Sequence, residues 1–277
     1  MLRKLGIIAV VLLLVLQGCK KDRPEIADTL YKKFGNKVFK KLNKPDFDSV
    51  FVKVLKEKKS SLKNPQLITQ FYSNNGHDPI FVLDYLPEDD LKLVAEYYQN
   101  ANEHGLDPEM FSYSKLAMLL DKFYNRNAIK TVDEAYRSIA ELEILTANSL
   151  INYSNALEFG VINPRKIYAR YYTKTVRPDS VSMLKVFRIN DMKNYLDSIQ
   201  PKTPAYLKMQ QALTSGMIAS GMSQEETERI LKVNLERLRW KNQPQSDKYV
   251  WVNIADYRLD VMENGKSVLN MKVCVGK

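Results

Sequence analysis

A chain of 277 residues is long enough for one large domain or two smaller ones, and 45% hydrophobic with 27% charged residues excludes wholesale disorder, collagen and coiled-coil arrays. Ten Gly are about half the usual share of roughly 7%, which points to a helix-rich body, while two Cys and two His exclude a disulfide framework and leave little for a metal centre, so no cofactor is expected. The formal net charge of +10 is uneven: residues 20–63 hold 14 Lys/Arg against 6 Asp/Glu, whereas residues 64–277 carry 26 of each.

Met1 to Cys19 reads as an export signal, with Arg3 and Lys4 at its basic start, the apolar stretch Leu5 to Leu16, and Leu16-Gln17-Gly18-Cys19 closing it. The apolar stretch is too short to cross a bilayer, which takes about twenty residues, and Lys20, Lys21, Asp22 and Arg23 follow at once. The last four residues resemble the lipobox of bacterial lipoproteins. That implies removal of residues 1–18, lipidation of Cys19 on sulfur, and a membrane-anchored protein of the cell envelope facing the periplasm. The basic segment 19–63 then reads as a tether with short helices beside an anionic membrane surface or wall polymer. Nucleic acid, the other partner of basic charge, is not expected of an exported lipoprotein. Within this segment Phe47, Val50, Phe51, Val54 and Leu55 mark one face of a helix over 46–58.

Phe71 to Val82 reads as two short apolar pieces around a turn at Gly76 and Pro79. Pro87-Glu88-Asp89-Asp90 places Pro and three acids in the first turn of a helix carried by Leu91, Val94, Ala95 and Tyr98, which ends at Gly105. Leu116, Leu119, Leu120 and Phe123 mark another. Thr131 with Glu134 forms a capping box that opens the longest helix, running to Gly160 over about 42 Å and serving as the central packing column. Further helices are expected around Ile189 to Ile199, around Ala205 to Ile218, and from a second capping box, Ser223 with Glu226, to near Trp240. At Tyr249 the period becomes two. Strands are expected over Tyr249 to Ile254, Tyr257 to Glu263 and Val268 to Val275, with an Asn264-Gly265 hairpin turn and an exposed last edge. Cys274 reads as a small packed side chain within the last strand, and His77 and His104, beside turns, as local hydrogen-bonders.

The run Val233-Asn234-Leu235-Glu236-Arg237-Leu238-Arg239-Trp240, followed by Val250 to Leu259, Glu263-Asn264-Gly265-Lys266 and Val273 to Lys277, resembles the scaffold-containing L,D-transpeptidases of bacterial cell-wall synthesis. Phe71-Tyr72 with Gly76 and Pro79, His104-Gly105-Leu106-Asp107-Pro108, and Gly160 with Asn163-Pro164 match the family's scaffold in type and order. The resemblance implies a mainly α-helical scaffold domain over 64–240, followed by the first strands of a catalytic β domain over 247–277. It also implies acyl transfer, in which a Cys thiolate with a His base attacks a peptidoglycan stem tetrapeptide, releases D-Ala, and yields a 3-3 cross-link when another stem's amine resolves the thioester. The family's nucleophile sits in a Ser-x-Gly-Cys motif that does not occur in these 277 residues, and no His follows His104. The chain is therefore expected to be the N-terminal part of such an enzyme, with no catalytic residue of its own and inert by itself. The alternative is a non-catalytic lipoprotein that holds a scaffold against the wall. The partners implied are peptidoglycan stem peptides and glycan, and the membrane through Cys19. One segment is a candidate glycopeptide contact from its own residues: Arg165, Lys166, Arg170, Lys174 and Arg177 have no acid between them and interleave with Tyr168, Tyr171 and Tyr172, a mix suited to an acidic glycopeptide through charge and stacking.

Overall fold

Residues 26–167, 175–240, 246–254 and 256–274 are described by the computed structural model. They divide into two units: one holds the chain up to Val161 together with Pro178–Arg239, the other Ile162–Arg177 together with Trp240–Lys277. The signal segment and Cys19 lie outside the described residues.

The first unit is helical. Its chain passes through α1 (Ile26–Phe34), α2 (Lys44–Lys58), α3 (Pro65–Asn74), α4 (Ile80–Tyr85), α5 (Asp90–Gln99) and α6 (Tyr113–Tyr124) before α7 (Val132–Phe159). The 28 residues of α7 begin at the expected capping box: Thr131 Oγ1 accepts from Glu134 N–H, and Glu134 Oε2 accepts from Thr131 N–H. Gly160, at φ +73°, ends it. Ala135, Ile139, Leu142, Leu150, Tyr153 and Leu157 are buried, and so are Tyr136, Ile144, Ala147 and Ile151. A helix apolar on more than one side is packed on more than one side. Later come α9 (Ser180–Leu184), α10 (Met192–Ser198), α11 (Pro204–Thr214) and α12 (Gln224–Arg239), with Ser223 Oγ accepting from Glu226 N–H at the start of α12. The four-residue α8 (Pro164–Ile167) belongs to the second unit.

Residues 26–62, expected to be a tether, belong to the core. Leu30, Phe39, Phe47, Phe51 and Val54 are essentially inaccessible and join the apolar cluster formed around α7. Burying each such side chain contributes about 1.5–3 kcal/mol, too much for the segment to stay in water. Polar groups fix the same docking. Asn43 N–H donates to Tyr136 Oη at 2.9 Å, Lys63 N–H to Asn148 Oδ1 at 3.0 Å, and Lys58 pairs with Glu141 at 3.0 Å. The basic residues thus decorate the outer side of packed helices.

The expected start of α5 also moves. Pro87, Glu88 and Asp89 form a turn, Asp89 takes a left-handed φ of +66°, and the helix begins at Asp90. The reason is long-range: the Asp89 carboxylate lies 2.8 Å from Lys33 Nζ of α1 and accepts from the Tyr124 hydroxyl of α6. Those partners, Lys33 foremost, hold it far below the usual carboxylate range. The helix expected over Ile189 to Ile199 begins at Met192 because Asp191 caps it, its Oδ1 accepting from Asn194 N–H at 2.8 Å; before it Lys185–Arg188 forms a 3-10 turn whose Phe187 stacks on Phe71 at 3.7 Å between centroids.

The second unit contains an antiparallel sheet, β1 (Lys248–Asn253), β2 (Arg258–Glu263) and β3 (Lys266–Lys272), in the order β1-β2-β3. Asn264 and Gly265 turn it at φ +49° and +75°, as a tight hairpin demands. Val250 faces Val261 and Val252 faces Leu259; Leu259 in turn faces Met271 and Val261 faces Leu269. One face is therefore aliphatic, and the other carries Trp251, Asn253, Arg258, Asp260, Asn270 and Lys272. β3 ends at Lys272, so Cys274 lies past the strand and is exposed, contrary to its expected packing.

Candidate functional site

Two buried polar centres organise the helical unit. The first is Glu143, in the middle of α7 and inaccessible to solvent. Its Oε1 accepts from the Tyr72 hydroxyl at 2.6 Å and its Oε2 from Val82 N–H at 2.9 Å, so it ties α3 and the first turn of α4 to the long helix. Burial pushes its pKa up to about 8, against the opposing pull of those donors. The Phe71-Tyr72 pair and the Gly76 and Pro79 turn exist, in physical terms, to bring Tyr72 and the head of α4 to this carboxyl.

The second centre joins residues far apart in the chain. Arg239 Nη1 donates to the His104 carbonyl at 2.8 Å and to Tyr206 Oη at 3.0 Å, while Arg239 Nη2 donates to Glu236 Oε2 at 2.8 Å. Glu236 Oε2 also accepts from Val161 N–H at 3.2 Å, just past the end of α7. His104 Nδ1 lies 2.9 Å from Tyr206 Oη. A guanidinium only donates, so Tyr206 Oη accepts from Arg239, and the two ring nitrogens of His104 face Tyr206 Oη and Gln210 Nε2. Burial first, then the Arg239 charge, lower the His104 pKa to about 4, so the ring is neutral at pH 7. Beside it Gly105 sits at φ +69°, and a Cβ there would come within 3.2 Å of the Lys232 backbone. Thus the His104-Gly105 turn is shaped to fit against α12.

An open groove of about 600 Å³ lies over this centre. Its lining includes the buried His104 and Tyr153, Glu96, Asn100 and Glu103 from α5 and the turn after it, and Lys202, Leu207 and Gln210 from α11 and the chain before it. At one end the Tyr97 hydroxyl donates to Asp197, which Lys193 also holds at 2.7 Å. Desolvation, with Asp197 beside it, raises the Tyr97 pKa to about 12.

The basic and aromatic segment singled out in the sequence falls in the second unit. Arg165 is exposed on α8, where Asn163 Oδ1 accepts its backbone N–H at 3.1 Å, and Arg177 Nη1 donates to the Ile162 carbonyl at 3.3 Å. Of the candidate cations, Arg165 and Arg177 thus meet the chain at Ile162-Asn163. Tyr168, Arg170 and Tyr171 lie outside the described residues. His77 is a turn residue at φ +56° whose ring rests 5.8 Å from Phe51. His104, read in the sequence as a local hydrogen-bonder, is instead bonded to side chains more than a hundred positions away. No local signal marks its burial, and only the meeting of two motifs reveals it. Among the described residues no group of His, Cys, Asp and Glu is placed to hold a metal ion, and no helix is long and apolar enough to cross a membrane.

A protein-family model described as Scaffold domain matches residues 66–213, which takes in α3 through nearly all of α11. No curated protein and no solved structure matches the chain.

Proposed function

The chain belongs to the Scaffold-domain family, whose model covers more than half of it, and from that premise we propose that it is the scaffold part of a lipid-anchored peptidoglycan L,D-transpeptidase. The observation that carries this reading is the convergence of separate motifs. His104-Gly105 and the Asn234 to Trp240 run, which resemble the transpeptidase family at distant points of the sequence, share one buried cluster through Arg239 and Glu236. A motif pair that interlocks in three dimensions is better support than two matches in a string. The strands that follow α12, with their Asn264-Gly265 turn, support the same reading.

In this role the helical unit positions and does not react. The acyl transfer, from a stem tetrapeptide through a Cys thioester to another stem's amine, is assigned to the enzyme as a whole and to no residue described here. Cys19 serves as the lipid anchor, several acyl chains being needed because one alone binds a membrane only marginally. The product then lies in the envelope, facing the periplasm, where stem peptides and glycan are within reach.

The test is to incubate the product of the complete open reading frame with sacculi rich in tetrapeptide stems and to separate the digested muropeptides by mass spectrometry. New 3-3 cross-linked dimers, lost when the Cys of a Ser-x-Gly-Cys motif is replaced, are expected. A frame without that motif, or sacculi that gain no such dimers, removes the transpeptidase reading. The anchor is tested separately: an alkynyl fatty acid should label the wild-type protein and not Cys19→Ser.

A further inference from the structure

The cations that the sequence spreads along a tether are gathered by the fold into one surface. Residues 32–45 carry six Lys and no acid, and residues 122–132 carry Lys122, Arg126 and Lys130 and no acid. The structure joins the two stretches. Asn36 Nδ2 donates to the Arg126 and Ile129 carbonyls at 3.3 and 2.9 Å, the Phe39 and Phe123 rings lie parallel with centroids 6.2 Å apart, and the Arg126 guanidinium rests against Gly35, where a Cβ would come within 2.3 Å of Nη2. Lys33 is engaged by Asp89, and Lys44 by Asp48 and Asp78. Lys37, Lys40, Lys41, Arg126 and Lys130 remain exposed with no ion-pair partner among the described residues, Lys40 lying over the Tyr31 ring at 4.0 Å. Asp28, Asp121, Asp133 and Glu134 flank the two stretches, and Glu134 Oε2 already accepts from the Lys130 and Thr131 N–H groups. With Lys32 and Lys122 counted, seven cations meet these four acids, so the patch keeps a charge of +3.

Four of the five exposed cations are lysines, compact and strongly hydrated point charges on flexible stems. Spread over two turns, they suit a diffuse field of headgroup phosphates and not the bidentate capture of one anion. Their place in the chain selects the source of those phosphates. α1 begins seven residues after Cys19, a reach of about 25 Å at most, and its nine residues add about 13 Å, so a protein anchored there carries the patch within about 40 Å of its lipid. An anionic leaflet that close strengthens attachment by about fivefold for each Lys or Arg that reaches it. We propose that this patch docks on anionic phospholipid headgroups and lays the helical unit against the membrane, with the Asn36 and Arg126 turns facing the lipid. The inference rests on the lipid-anchor reading for the nearness of a membrane, while the docking itself needs no acyl chain.

The experiment is amine footprinting of the full chain reconstituted on vesicles of phosphatidylcholine, alone or mixed with phosphatidylglycerol, with an uncharged acylating reagent and mass spectrometry as the readout. At about 0.15 M salt, labelling of Lys37, Lys40, Lys41 and Lys130 should be slower by about fivefold or more on the anionic vesicles, and equal on the two at about 1 M, where charges are screened beyond about 3 Å. Lys56, Lys59 and Lys63 lie at and past the far end of α2, whose 15 residues span about 22 Å, and should be labelled alike on both vesicles. The triple variant Lys37→Gln, Lys41→Gln and Lys130→Gln, all at exposed positions, should keep its thermal midpoint and lose the protection of Lys40. Equal labelling of the patch on the two vesicles overturns the proposal, as does equal protection of Lys56, Lys59 and Lys63, or a triple variant in which Lys40 stays protected. Soluble polyphosphate stands in for a wall polymer or nucleic acid: if it protects these lysines and the anionic vesicles do not, the membrane is not the partner. A chain that takes up no alkynyl fatty acid yet is protected on anionic vesicles would remove the anchor and keep the docking; an acylated chain without protection would do the reverse.

Discussion

Replacing Glu143 by Gln should change how stability responds to pH. The carboxyl titrates near 4.5 in the unfolded chain and at about 8 when folded, because burial in α7 outweighs the donors Tyr72 and Val82. Between those values the folded state holds a proton that the unfolded chain has released, so stability falls as pH rises, by about 1.4 kcal/mol per unit. Between pH 5.5 and 7.5 the loss is about 2.5 kcal/mol, the slope easing as the folded carboxyl begins to ionise. His104 works in the opposite sense. Its pKa of about 4 when folded, against 6.5 when not, adds stability as pH rises between those limits. That contribution is common to both proteins and cancels in their difference. Urea unfolding at pH 5.5 and 7.5 should therefore show the wild type losing about 2.5 kcal/mol relative to Glu143→Gln. Parallel changes in the two proteins would refute a neutral, buried carboxyl at this position.

Gly105→Ala should destabilise by about 2–3 kcal/mol, since it combines a left-handed φ with a Cβ 2.9 Å from Lys232 Cγ, whereas Gly76→Ala, at φ +66° in open space, should lose only about 1 kcal/mol. Equal losses in urea melts would mean that the fit against α12 is not tight. Glu236→Ala leaves Arg239 buried without its carboxylate and should lose about 3–5 kcal/mol; a loss under about 1 kcal/mol would show that water reaches the pair. Cys274, exposed beyond β3, should react fully with a maleimide under native conditions in a Cys19→Ser background; protection until urea is added would contradict its exposure.

What the sequence made legible was the chemistry that neighbours settle between themselves. Thr131, Glu134 and Gly160 define α7 because capping needs only residues within one turn, and Asn264-Gly265 defines the hairpin for the same reason. The faces of α2 and α6 were visible in their periodicity. What they pack on was not: Phe47 and Phe51 look the same in a solvated tether and in a core until α7 is placed beside them. Asp89 departs from the expected helix start because Lys33, 56 positions earlier, captures its carboxylate. Glu143 reads as one more charge on a long helix, and only Tyr72, 71 positions away, shows it to be buried. The candidate site divides likewise. Arg165 and Arg177 could be found from composition, whereas the groove over His104 arises from turns and helices that no local pattern connects.

The place of α7 in the chain also sets a schedule for synthesis. α2, α3, α4 and α6 all rest on it, yet all are made before it. At about 5–20 residues per second, the interval between completing α2 and completing α7 is about 5–20 s. Through that interval Phe47, Phe51, Tyr72 and Phe81 have no common surface to close against, and the nascent chain stays open to chaperones and able to thread a narrow channel. One helix thus acts as the clock for the whole unit, and slowing the ribosome within its codons would lengthen the window for aggregation more than slowing it anywhere later.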